Sequence, residues 1–126
     1  MIKVLYVGIG GCIGSMLRYF ISFYAPKLFG SQLPYGTLIV NVVGGVLIGF
    51  LMDLCMLNEV PHELRLFLTT GIIGGFTTFS TFSYETVNFF YAGDFLPGFL
   101  NMGLNLFLGF GGVILGKVIF NVFNMQ

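Results

Sequence analysis

Charge is scarce in this chain: 126 residues carry only 8% Asp, Glu, Lys and Arg, against about 25% in an average soluble domain. Set beside 56% hydrophobic residues and a mean hydropathy of +0.96, that shortage excludes a water-soluble domain of ordinary composition. The 5 Lys and Arg are balanced by 5 Asp and Glu, so no basic surface points to a nucleic-acid partner. Histidine occurs once, as His62 in a stretch read as a loop, and Cys12 and Cys55 lie far apart without the spacing of a zinc or redox motif. Free cysteines of this kind behave as small buried hydrophobes. No apolar segment holds two carboxylates, so metalloenzyme and acid–base hydrolase chemistry lack a donor set, and the chain is not expected to be an enzyme.

What the chain has is apolar length. Segments near residues 4–24, 35–57, 64–91 and 97–123 are each long enough to cross a hydrocarbon core of about 30 Å as a helix. The expected fold is an all-α integral membrane protein, residues 1–126 forming a single four-helix domain in the lipid bilayer. The first segment runs past the apolar core of a signal peptide and has no small-residue cleavage site before Arg18-Tyr19, so it is read as mature protein. With an even number of crossings, Lys3, Arg65 and Lys117 lie opposite Arg18 and Lys27. Orientation follows the Lys/Arg asymmetry of short loops, and this asymmetry is a single charge. Either a chain with few charges still inserts one way, or it inserts both ways and pairs with an inverted copy of itself. Inverted symmetry is a recurrent way to build ion sites at the bilayer midplane, and a partner would supply the second wall of a solvated path.

Glycines cluster in three of the segments, including Gly8, Gly10, Gly11 and Gly14 in the first. Small residues at such spacing let membrane helices approach closely. Gly44-Gly45-Val46-Leu47-Ile48-Gly49 resembles Gly111-Gly112-Val113-Ile114-Leu115-Gly116, although six residues are too few for a repeat.

The third segment is interrupted by Gly74-Gly75-Phe76-Thr77-Thr78-Phe79-Ser80-Thr81-Phe82-Ser83. A polar run at membrane depth is tolerated where it is buried in protein or lines a cavity, and Gly74-Gly75 invites a helix break that frees carbonyl oxygens. A bound alkali cation would satisfy them. Phe79 and Phe82, three apart, share a helix face. Their positive ring edges suit a partly dehydrated anion, whereas spacing alone fits an aromatic packing stripe better. The hydroxyls of Thr77, Thr78, Ser80, Thr81 and Ser83 either bond back to the preceding turn or form a solvated track, and their crowding favours the track. Asn41, mid-segment, is either interhelical glue or a donor to an anion. Asn101 and Asn105, four apart, offer two more amides on one face to the same track, with Asn105 a candidate pore residue. Arg18 either snorkels to the interface or concentrates anions at a vestibule. Glu85 is a functional candidate as an intramembrane carboxylate.

At these residues the chain resembles the Fluc fluoride channels, the CrcB-type family of small bacterial membrane proteins. The resemblance covers nearly the whole chain. It rests on Gly10-Gly11 with Gly14 and Arg18-Tyr19, on Gly36-Thr37-Leu38 with Asn41 and Gly44, and on Gly71 with Gly74 through Ser83. It implies a passive, fluoride-selective channel in the bacterial inner membrane that exports cytoplasmic fluoride and confers resistance to it. It further implies an antiparallel, dual-topology homodimer with two pores and a structural Na⁺ at its centre, held by backbone carbonyls of Gly74 and Thr77 from both chains. Phe79 and Phe82 look like the family's phenylalanine box, Asn41 like its pore amide and Arg18 like its vestibule arginine, while Ser80, Thr81 and Ser83 match its hydroxyl track. The fourth segment departs from the pattern: many members carry a tyrosine and, four residues on, a serine, where this chain has Asn101 and Asn105.

A dual-topology, ion-coupled multidrug exporter would suit the same size and charge balance, but that class needs a carboxylate in its first segment and none is there. An intramembrane hydrolase would need an activating base beside Ser80 or Ser83, and the one histidine is in a loop. A purely structural helix-packing protein would not require the concentrated polar run.

Overall fold

A computed structural model describes all 126 residues, and every regular element in it is helical. The first helix, α1, runs Ile2–Phe29 and ends where Gly30 turns to a left-handed φ of 87°, its N–H capping the Pro26 carbonyl at 3.0 Å. After Pro34, α2 spans Tyr35–Leu57 and stops at Asn58, whose side-chain amide caps Leu54 O at 3.0 Å. The last helix, α6, spans Phe95–Asn124 and follows a tight turn in which Gly93 takes φ 80°. These three are the helices long and apolar enough to cross a membrane.

Between them lies a composite rod. It starts after Pro61 with α3 (His62–Leu66), loosens into a π-helical stretch over Phe67–Ile73, tightens again in α4 (Gly74–Phe76), and breaks. Thr77 (ψ 156°) and Thr78 (φ −150°, ψ 113°) are extended, and α5 resumes over Phe79–Tyr91. The break therefore begins two residues beyond the Gly74-Gly75 pair that invites it in the sequence. Both glycines stay in the helical rod, and for Gly75 smallness serves packing: a Cβ there would stand 2.5 Å from the Gly11 carbonyl of α1.

Two pairs of parallel helices make up the body. In one, Gly10 and Gly14 of α1 lie against the backbone of residues 67–76, where a Cβ on Gly10 would come within 2.9 Å of Gly71 Cα. In the other, α2 packs along α6, the most extensive contact in the chain. The two similar glycine stretches turn out to be the two faces of that contact: a Cβ on Gly45 would be 2.8 Å from Gly109 O and one on Gly112 2.8 Å from Val42 O, and Gly49 and Gly116 repeat the pattern one turn on. Much of the remaining surface of α1 and α6 is exposed and apolar, as suits lipid or a second protein face.

Candidate ion-conduction site

The helix break is held from outside by Asn41 of α2. Its Oδ1 accepts the Thr78 N–H at 2.8 Å while its Nδ2 donates to the Thr78 carbonyl at 3.1 Å, so one side-chain amide replaces the helical bond that the Thr78 N–H has forfeited and adds a second donor to a carbonyl that, at the N-cap, opens α5. The second Nδ2 hydrogen goes to Asn105 Oδ1 at 2.9 Å. Asn105 Nδ2 in turn donates to the main-chain and side-chain oxygens of Asn101 at 2.9 and 3.1 Å, Asn101 Nδ2 to Thr86 Oγ1 at 2.9 Å, and Thr86 Oγ1 to Phe82 O at 2.8 Å. Asn101 and Asn105 are buried. The structure thus realises the glue role for Asn41, and an ion seeking its amide has to displace a protein oxygen.

Around this row opens a cavity of about 600 Å³, whose lining includes Asn41, Thr77, Thr78, Phe79, Phe82 and Asn105, with Gly74 at its edge. The Phe79 and Phe82 rings meet edge-on, centroids 5.5 Å apart at 66°. Phe82 is buried at 6% exposure, whereas Phe79 is 75% exposed, so this chain alone covers only one of the two rings. Behind the break is a second recess of about 300 Å³, lined by Ser15, Arg18, Tyr19, Ser22, Thr78 and Thr81. Thr78 borders both spaces.

The hydroxyls divide between structural and open roles. Thr78 Oγ1 caps α5 by accepting the Thr81 N–H at 3.2 Å, and it lies 3.1 Å from Thr81 Oγ1 and 3.3 Å from Ser80 Oγ. Ser83 donates back to Phe79 O at 2.8 Å and Thr77 to Ile73 O at 3.0 Å, the bonding that competes with a track. Ser80 and Thr81 are exposed. Gly74 and Thr77 carry the carbonyls of interest. In an unbroken helix these would accept from Thr78 N–H and Thr81 N–H, but those donors are taken by Asn41 Oδ1 and Thr78 Oγ1.

Sequence reasoning did not single out Thr78, the pivot of the site, although a threonine directly before a resuming helix is a favoured N-cap. It also missed that Thr37 Oγ1 donates to Glu85 Oε1 at 2.5 Å, while the other Glu85 oxygen is buried without a partner.

A helical chain in which a helix is interrupted beside a largely apolar, aromatic-lined cavity with a few amides and hydroxyls on its wall has the architecture of membrane proteins that hold ions at broken helices. Residues 5–117 match the family described as CrcB-like protein, Camphor Resistance (CrcB), and the chain belongs to that family. It is 50% identical over 120 residues to the fluoride-specific ion channel FluC of Clostridium novyi (strain NT), covering 94% of each chain. It is 51% identical over 120 residues to the protein of that name from Ruminiclostridium cellulolyticum, covering 94% of this chain and 92% of the relative. A third such protein, from Shewanella woodyi, is 44% identical over 117 residues, covering 93% of this chain and 94% of its own.

Proposed function

We propose that the chain is a fluoride-selective passive channel of the bacterial inner membrane that lets fluoride leave the cytoplasm and so confers resistance to it. The single observation that carries the reading is the cavity in which Phe79 and Phe82 sit in a T-shaped pair beside the amide row of Asn41 and Asn105. Ring edges are electropositive, so a small anion there meets favourable fields without a fixed cation to trap it. Arg18, in the recess it shares with Thr78 and Thr81, gathers anions on the far side of the break, and Ser80 and Ser83 continue the hydroxyl track on α5. The inside-negative potential supplies about 2.3 kcal/mol per charge per 100 mV for outward flow.

The test is fluoride efflux from liposomes holding only this purified protein. Efflux well above that of empty vesicles, with chloride retained, is the expected result, and rates equal to empty vesicles would remove the proposal. Phe79→Ile and Phe82→Ile should each cut fluoride flux severely while the protein still assembles, because bulk is kept and the ring edge is lost. Wild-type flux in both would return the rings to packing.

The broken rod α3–α5 is proposed as a fourth crossing, and two chains as an antiparallel, dual-topology homodimer. The near balance of Lys3, Arg65 and Lys117 against Arg18 and Lys27 supports it, as does the 75% exposed Phe79, which a partner would cover. Two or three lysines added at one terminus should bias insertion and lower activity, and an oppositely biased copy should restore it; full activity from a population in one orientation would refute the pairing.

At the two-fold axis a structural Na⁺ is proposed, held by the Gly74 and Thr77 carbonyls of both chains. The fit comes from those two oxygens, whose helical donors are engaged elsewhere. An ion-replacement crystal experiment should give a buried peak ringed by four carbonyl oxygens, persisting without fluoride; waters there instead would rule it out.

A further inference from the structure

We propose that Arg65 heads a second anion-gathering antechamber, feeding the Phe79–Phe82 cavity from the end opposite Arg18. The inference deepens the conduction reading and rests on it. A recess of about 380 Å³ is lined by Met52, His62, Arg65, Leu66, Thr69 and Thr70, closed by Ile48. Ile48 and Thr69 also line the 600 Å³ cavity, so the two spaces share a wall at the π-helical stretch.

The charge at this recess is not neutralised within the chain. Asp53, one residue from Met52, is held by Lys117 at 2.6 Å, the one ion pair present. Glu63 faces away, lining a separate recess with Tyr6, Ile9, Leu64 and Phe67. The Arg65 guanidinium therefore offers donors and no acceptor, in a concave space with low-dielectric walls that focus its field and raise the local concentration of a small inorganic anion. Because α1 runs parallel to residues 62–76, Arg65 lies level with the start of α1, whereas the Arg18 recess meets Thr78 and Thr81 beyond the break. Two unpaired guanidiniums thus bracket the pathway along its length.

The experiment compares initial fluoride efflux from liposomes for the wild type, Arg65→Gln and Arg65→Lys, at about 10 mM ionic strength, where the Debye length is about 30 Å, and at about 0.15 M, where it is about 8 Å. Arg65→Gln should lower flux about tenfold at low salt, with the deficit shrinking as salt rises, and Arg65→Lys should stay near wild type. A conducting wild type matched by Arg65→Gln at both salts overturns the antechamber alone; a wild type no leakier than empty liposomes overturns the conduction reading with it. A second variant guards against misfolding of Arg65→Gln. Thr70→Cys in a Cys12→Ala background is labelled with methanethiosulfonates bearing a sulfonate or a quaternary ammonium. The sulfonate should depress flux and the ammonium should not, and equal effects of the two would overturn the proposal.

Discussion

Asn41→Leu is expected to be the most damaging single substitution away from the aromatic pair. Leucine matches asparagine in size but makes none of its three hydrogen bonds, so the Thr78 N–H and the Asn105 Oδ1 lose their partner and the Thr78 carbonyl keeps only the first bond of α5. An unsatisfied buried group costs about 1–3 kcal/mol, so the Thr78 N–H and Asn105 Oδ1 together put the loss at about 2–6 kcal/mol. Asn41→Asp separates stability from orientation. It keeps an acceptor for the Thr78 N–H but turns an oxygen towards the Thr78 carbonyl and Asn105 Oδ1, and it should also impair fluoride flux by placing negative charge beside the path. Thermal unfolding of the detergent-solubilised protein, followed by flux in vesicles, checks both. Unchanged stability in Asn41→Leu would mean that Thr78 finds its partners elsewhere.

The second large effect belongs to Gly116→Ala, with Gly111→Ala as its built-in control. A Cβ on Gly116 would stand 2.8 Å from Phe50 N and 3.0 Å from Val46 C, main-chain atoms of α2 that have no rotamer to change. The helices must part, and overpacking of this sort costs about 1–3 kcal/mol or more. Gly111 meets nothing within 4 Å, and alanine there gains about 0.5–1 kcal/mol of helix preference. Opposite shifts in melting temperature are expected from two identical changes five residues apart in one helix. Equal shifts would show that α2 and α6 do not approach as described.

The long helices were legible because apolar length is a coarse signal: the expected 35–57 coincides with Tyr35–Leu57, and 97–123 falls inside Phe95–Asn124. Gly74-Gly75 marked the neighbourhood of the break and missed its position. A glycine pair reports both backbone freedom and room for a neighbour, and here Gly11 of α1 claims the room. What located the break was Asn41, 37 residues away, a coupling that no local pattern carries. The same limit applies to Asn101 and Asn105. Their shared face was readable from spacing, but that they would bond to each other and hand the connection to Thr86 depends on how α6 lies against α2 and α5. The likeness of the two glycine stretches was visible without its meaning, since contact between them is a property of the packed pair.

The peptide at Thr78 also imposes a direction on the molecule. Its N–H and carbonyl admit Asn41 in one sense only, since the reversed amide would set hydrogen against hydrogen and oxygen against oxygen. Asn41 then presents a hydrogen to Asn105, which presents its own to Asn101, which presents its own to Thr86. Every dipole in the row points the same way, and none can turn over unless its neighbours turn with it. A single extended residue thereby fixes the donor-to-acceptor sense of a file of side chains drawn from three helices, two of which, Asn41 and Asn105, stand on the wall of the cavity.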